Sequence, residues 1–116
     1  MNANKKQLAK VRRAHRTRAR IHGTEVKPRL SVARSLKHIS AQIINDDKGV
    51  TIVSASDREV KAGDKPIDTA FVVGKILATK ALTFGIENII FDRGSFRYHG
   101  RVAALANGAR EGGLKF

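Results

Sequence analysis

Cysteine and tryptophan are absent from these 116 residues. Without thiols the chain can form neither disulfides nor thiolate metal sites. Its four histidines stand at no ligand spacing, so no metal site is expected from them either. No apolar run approaches the ~20 residues that a membrane-spanning helix needs. The N-terminus carries charges with no apolar segment behind them, so a secretory signal is not expected. These absences suggest a soluble cytoplasmic protein. The length suits one domain with a modest core. Acids are scarce as well: 10 Asp and Glu face 23 Lys and Arg, leaving a net charge of +13. That excess implies a polyanionic partner, either nucleic acid or an anionic membrane surface.

The charge is uneven. Residues 1–37 hold 12 Lys and Arg and a single acid, Glu25, whereas residues 38–116 hold 11 Lys and Arg against 9 acids. A nearly balanced domain over 28–116 therefore sits behind a basic arm over 1–27. Lys5, Lys6, Lys10, Arg12, Arg13, Arg16, Arg18 and Arg20 are the arm's candidate phosphate contacts. Leu8, Val11, His15 and Ala19 recur at helical spacing. That stripe is thin, and like charges at i,i+4, such as Arg12 and Arg16, repel. Disorder alone and helix on RNA is the expectation.

From Pro28 the pattern changes to period two. Leu30 and Val32 take one face, with Arg29 and Ser31 on the other. Arg34-Ser35-Leu36-Lys37 reads as a hairpin turn. The next strand sets Ile39, Ala41 and Ile43 against His38, Ser40 and Gln42, and Asp46-Asp47-Lys48-Gly49 reads as a second turn. Val50 to Ser56 makes a third strand with Thr51, Val53 and Ala55 as its inward set, though Val50 and Ile52 blur the face. The result is an antiparallel meander with one apolar and one polar face. Arg29, Ser31, Arg34, Ser35, Lys37, His38, Ser40 and Gln42 make the polar side and its turn a candidate RNA-docking surface.

Asp64 with Pro66 reads as a helix start, and Asp68 suits the first turn. Ile67, Phe71, Gly74, Leu77, Ala78, Ala81 and Leu82 form its apolar stripe, and Gly85 ends it. Asn88 to Phe91 follows as a strand, which the helical crossover makes parallel to its neighbour in the sheet. A last helix runs from Arg101 to Ala109 with Val102, Leu105, Ala106 and Ala109 inward. Gly112-Gly113 stops it, and Leu114 and Phe116 pack back on the domain. The order is βββαβα, a mixed α/β sheet with packed helices.

Between the last strand and the last helix lies F-D-R-G-S-F-R-Y-H-G-R, Phe91 to Arg101. Arg93, Arg97, Tyr98, His99 and Arg101 crowd around Gly94 and Gly100. A helix start presents unsatisfied N–H groups and partial positive charge. Arginine adds forked phosphate donors, and Phe96, Tyr98 and His99 offer flat faces to unpaired bases. Arg93, Ser95, Phe96, Tyr98, His99, Gly100 and Arg101 are therefore candidate RNA contacts. Phe96 could equally be a core ring. Asp92, Ser95 and His99 are triad residue types, but three such residues within eight positions rarely meet triad geometry. Turn capping or an ion pair with an arginine is the simpler role for Asp92. There is no G-x-S-x-G and no Walker-type loop.

The block F-D-R-x-x-F-x-Y-H-G-R-V, with A-x-x-A-R-E-x-G-L-x-F ending at Phe116, resembles the C-terminus of the bacterial large-ribosomal-subunit protein eighteen family. The resemblance extends over the basic arm, the meander from Pro28-Arg29-Leu30 and the central helix. It implies a ribonuclease-H-like arrangement with a three-strand antiparallel meander and one parallel strand. It also implies a structural constituent of the large ribosomal subunit. Such a protein binds 5S rRNA and attaches it to the 23S-type rRNA in the central protuberance, beside neighbouring large-subunit proteins. It is no enzyme, has no cofactor and is not a homo-oligomer. A nuclease on such a fold would need clustered carboxylates for two metal ions, whereas Asp46, Asp47, Asp57 and Asp64 fall in expected turns and loops. The alternative is a charge-driven general RNA- or DNA-binding protein.

Overall fold

The computed structural model describes residues 3–18, 21–60 and 65–116. α1 (Ala3–Arg18) is a helix. Alanine, lysine, arginine, leucine and glutamine all favour helix, and this offsets the charge repulsion. Leu8 and Val11 are exposed, so the thin apolar stripe does not anchor α1.

Alternating apolar side chains build the sheet. β1 (Arg29–Arg34) pairs antiparallel with β2 (Ile39–Asn45), setting Leu30 opposite Ile43 and Val32 opposite Ala41. The turn between them closes with the Ser35 N–H donating to the His38 carbonyl at 2.8 Å. β3 (Val50–Ser56) follows Gly49, whose φ of 64° is left-handed and disfavours a side chain. Leu30, Val32, Ile39, Ala41, Ile43, Val53 and Ala55 are all buried on one face. Fully burying an aliphatic side chain of this size contributes about 1.5–3 kcal/mol.

Thr51 corrects the simple alternation, because it is exposed. The pairing shifts between Ile43 and Ile44, so Ile43 faces Val53 while Ile44 faces Thr51. Ile52 is the extra residue of a β-bulge, which reverses the faces beyond it. Thr51 then turns outward and its hydroxyl donates to Gln42 Oε1 at 3.2 Å, while Ile52 packs at the core's edge.

A 3-10 turn at Asp57–Glu59 follows. Asp64, read as a helix start, lies outside the described residues. α2 (Pro66–Thr83) has Pro66 in its first turn, where a missing N–H leaves nothing unpaired, and Asp68 beside it. Its buried residues are Ala70, Val73, Gly74, Leu77, Ala78 and Ala81. Ile67 and Leu82, expected in the stripe, are exposed: Ile67 precedes the first buried turn and Leu82 flanks the last. The helix ends in a Schellman pair. Gly85, at φ 76°, donates to the Leu82 carbonyl and Ile86 donates to the Ala81 carbonyl, both at 3.0 Å.

β4 (Ile90–Asp92) pairs parallel with β1, giving the strand order β3-β2-β1-β4. It runs from Ile90 to Asp92 rather than from Asn88 to Phe91, and Asn88 bridges Lys115 instead. α3 (Gly100–Glu111) buries Val102, Leu105, Ala106 and Ala109, as its periodicity indicates. Beyond it Leu114 is buried and the Phe116 ring stacks on Phe91, with centroids 5.6 Å apart. None of the described helices is long and apolar enough to cross a membrane.

α2 and α3 approach until backbone meets backbone. A Cβ on Gly74 would strike the Leu105 carbonyl, and one on Gly108 would strike the Phe71 carbonyl. These two glycines set how closely α3, and the loop that enters it, sits on the domain. Gly108→Ala should force the helices apart and cost about 1–3 kcal/mol, read as a lower urea midpoint. An unchanged midpoint would mean that the helices can separate without loss.

Candidate nucleic-acid interface

Arg29 stands on the outer face of β1, where alternation predicts solvent, yet it is only 6% exposed. Its Nε and Nη2 donate to the Asp46 carboxylate at 2.9 and 3.0 Å, and its Nη1 donates to Asp92 Oδ2 at 2.8 Å. Arg29 therefore leaves the set of RNA-facing candidates, since each guanidinium nitrogen already serves a carboxylate. Asp46 also accepts from the Gly23 N–H at 2.7 Å, and its own N–H donates to the Gly23 carbonyl at 2.9 Å. The segment before β1, assigned to the arm by charge, is thus fastened over the guanidinium. Only glycine fits there, because a Cβ would collide with the backbone of Arg29 and Ile44. His22 Nε2 lies 2.6 Å from Asp47 Oδ1 beside it.

Asp92 starts the loop. Its second oxygen accepts from the Gly94 N–H at 2.8 Å, and Gly94 turns with φ 62°. The carboxylate therefore both caps a turn and pairs with an arginine. Arg93 Nη1 donates to the Phe96 carbonyl at 2.8 Å, closing the turn across itself. Arg101 Nη2 donates to the Ser35 carbonyl at 2.6 Å, tying the first turn of α3 to the β1–β2 turn. His99 caps α3 in an extended conformation, with no side-chain bond to the helix and no acid in the first turn. That end keeps its positive character for an anion.

These ties shape a basin of about 840 Å³. Lys10 and Arg13 reach it from α1 and Arg34 from β1, while Arg93, Arg97 and Arg101 come from the loop and α3. Ser95, Phe96, His99 and Gly100 complete the lining. Six cations and no carboxylate line one hollow, an arrangement that concentrates positive potential. Among the described residues no group of His, Asp or Glu could hold a metal ion.

The family model for ribosomal L18 of archaea, bacteria, mitochondria and chloroplasts matches residues 4–116. The chain belongs to the ribosomal L18 family. It is 58% identical to the large ribosomal subunit protein uL18 of Thermus thermophilus, over 90% of this chain and 93% of that one. It is 50% identical to the uL18 of Desulfosudis oleivorans, over 98% of each chain. With the uL18 of Clostridium kluyveri it shares 54% identity, over 97% of this chain and 96% of the relative.

In this L18 chain the candidate contacts divide. Lys10, Arg13, Arg34, Arg93, Ser95, Phe96, His99, Gly100 and Arg101 gather at the basin. Lys5, Lys6, Arg12 and Arg16 are exposed elsewhere on α1. Arg18 falls in the last turn of α1, and Arg20 lies outside the described residues. Lys37 is exposed in the turn, with Ser35 and His38, and the His38 ring lies 2.9 Å from Asp57. Ser31, Ser40 and Gln42 sit on the outer sheet face, apart from the basin. Tyr98 does not line it either. Its ring meets Phe91 edge-on at 5.7 Å, and its hydroxyl accepts from Arg110 Nη1 at 2.9 Å, leaving the residue 46% exposed. Arg97, another of the loop's forked donors, is exposed and lines the basin as well. Arg110, which holds Tyr98 and lies 4.4 Å from the Phe116 ring centroid, carried no signal beyond its helical position.

The hydrogen bonds from Arg29 hold the Asp46 carboxyl down to about 2, well under its ordinary 3.8, against an opposing burial effect. Arg29 is raised in turn, first by Asp46. A carboxyl depressed in the folded state adds stability that is complete above its unfolded pKa and is lost as pH falls through the folded one. The shift corresponds to about 2 kcal/mol. The stability gap between the parent and Asp46→Asn, from urea unfolding, should be widest above pH 5 and narrow toward pH 2. A gap that ignores pH would show that the carboxylate charge is not its source.

Proposed function

We propose that this chain is a structural constituent of the large ribosomal subunit that binds 5S rRNA and attaches it to the large-subunit rRNA in the central protuberance. The observation that carries this reading is the basin, where cations from the arm, the end of β1 and the C-terminal loop converge with no carboxylate in the lining. The relatives named above are large ribosomal subunit proteins, which supports a structural rather than an enzymatic role. Its place is the cytoplasmic ribosome, as a single copy beside neighbouring large-subunit proteins.

Two kinds of contact divide the work. Exposed arm cations such as Lys6, Arg12 and Arg16 neutralise phosphates whatever the sequence. The loop is held at both ends by β4 and α3, so it presents its arginines and the half-exposed Tyr98 ring with little ordering cost on binding. Ser31, Ser40 and Gln42 offer neutral hydrogen-bonding groups along the sheet, suited to ribose hydroxyls. A protein that bound through charge alone would hold any RNA alike.

Arg93→Ala and Tyr98→Ala should each lower 5S rRNA affinity about tenfold and leave binding to unrelated RNA of equal length nearly unchanged, because a stacked base or charge-assisted bond is worth about 1–3 kcal/mol. Lys6→Ala should weaken both slightly and flatten the salt dependence by roughly 0.7–0.9 log units per log unit of salt. Competition binding across a salt series, beside thermal melts, measures both effects. Parent-like 5S affinity in a normally melting Arg93→Ala, Tyr98→Ala double variant would remove the loop from recognition.

A further inference from the structure

Phe96 sits between the arm and the domain. Its ring is partly buried against the core. Lys10 Nζ of α1 lies 5.8 Å from the ring centroid, and the Arg34 guanidinium carbon at the end of β1 lies 5.1 Å from it. Both distances fall within the range of cation–π attraction. The face of α1 turned this way has its own mark. Along residues 5–16 only Ala9 and Ala14 are partly covered, and the rest are exposed. Ala9 with Arg13, and Lys10 with Ala14, are i,i+4 pairs and share one side of the helix. Small residues there let α1 come close, while Leu8 and Val11 remain in solvent. Lys10 and Arg13 are also the arm's two cations in the basin.

We propose that Phe96 is a positioning residue. Its ring clamps α1 against the domain, so that arm and loop line one cleft for a single run of RNA phosphodiester backbone. This rests on the RNA-binding reading above and changes the role of the ring within it. A ring packed on the core and engaged by two cations has little face left for a base. Its contribution passes through Lys10 and Arg34, which it holds toward the phosphates. An arm held in place loses less freedom on binding than a free one. Six cations suit the phosphates of the backbone, and the path they mark out selects an RNA by its shape.

The absence of native cysteine makes the test clean. Gln7→Cys and Thr51→Cys, both at exposed positions, carry spin labels on α1 and on the sheet of the full chain. Electron–electron distance measurement should give a narrow distribution in the parent and a broad one in Phe96→Leu. Leucine keeps apolar packing without the ring, and an unchanged thermal midpoint separates this effect from a lost fold. With a 5S rRNA transcript, Phe96→Leu should bind about two- to five-fold more weakly than the parent, the range expected for a lost cation–π contact. In a Lys10→Gln, Arg34→Gln double background the same substitution should add no further loss. Equal distance distributions in parent and Phe96→Leu would overturn the clamp. Additive losses would overturn it too, and would make Phe96 a base-stacking contact. A parent with narrow distances that binds no 5S rRNA would strike the RNA reading and the cleft's ligand, with the clamp intact.

Discussion

One guanidinium ties the molecule together. Arg29 joins the segment before β1 to the β2–β3 turn through Asp46, and joins β1 to the end of β4 through Asp92. Those are the places where the arm departs and where the C-terminal loop begins. Desolvating three ionised groups is costly, and good geometry with further hydrogen bonds is what offsets it. Both carboxylates here also accept from a glycine N–H, Asp46 from Gly23 and Asp92 from Gly94. A strongly cationic chain thus places scarce carboxylates inside, where they brace the fold. Others lie against histidines or lysines at or near the surface: Asp47 by His22, Asp57 by His38, Glu59 by Lys80 and Glu87 by Lys115. The basin is left with six cations and no carboxylate in its lining.

Much of the fold was legible because it follows from periodicity. The meander, its two turns, the parallel last strand and the inward residues of α3 all follow from spacing and turn chemistry. What escaped has local physical causes. A single bulge at Ile52 shifted the register, and strict alternation cannot show an inserted residue. Ile67 and Leu82 keep helical spacing but lie at the ends of α2, where the buried face has run out. Arg29 escaped because a charged residue at an outward position reads as solvated. Only the folded chain brings in Asp46 and Asp92, 17 and 63 residues away, to pair with it.

The site was legible in its composition and not in its arrangement. A basic arm and a Gly-Arg-aromatic loop are visible in one dimension. That both reach the same hollow depends on Arg101 pinning the loop to Ser35 and on α1 lying beside Phe96. The polar sheet face, which looked equivalent to the loop, contributes none of its residues to that hollow; Arg34 reaches it from the end of β1, on the side of Leu30 and Val32. Tyr98 and Phe96 are both aromatic residues of one short loop, yet they part company. The first is braced by Phe91 and Arg110, and the second faces cations.

The wide separation of β1 from β4 has a consequence for the protein while it is being made. β1 pairs with β2 as soon as both are synthesised, but its other edge waits for residues 90–92, as does Asp92 for Arg29. Until then a growing chain displays the cations of α1 with neither the loop nor the floor of the basin in place. Non-local pairing of this kind is slow and comes late. The basin is therefore the last part of the molecule to exist. A chain short of its final helix carries the arm's charge without the hollow that gathers Lys10, Arg13 and Arg34 with Arg93, Arg97 and Arg101.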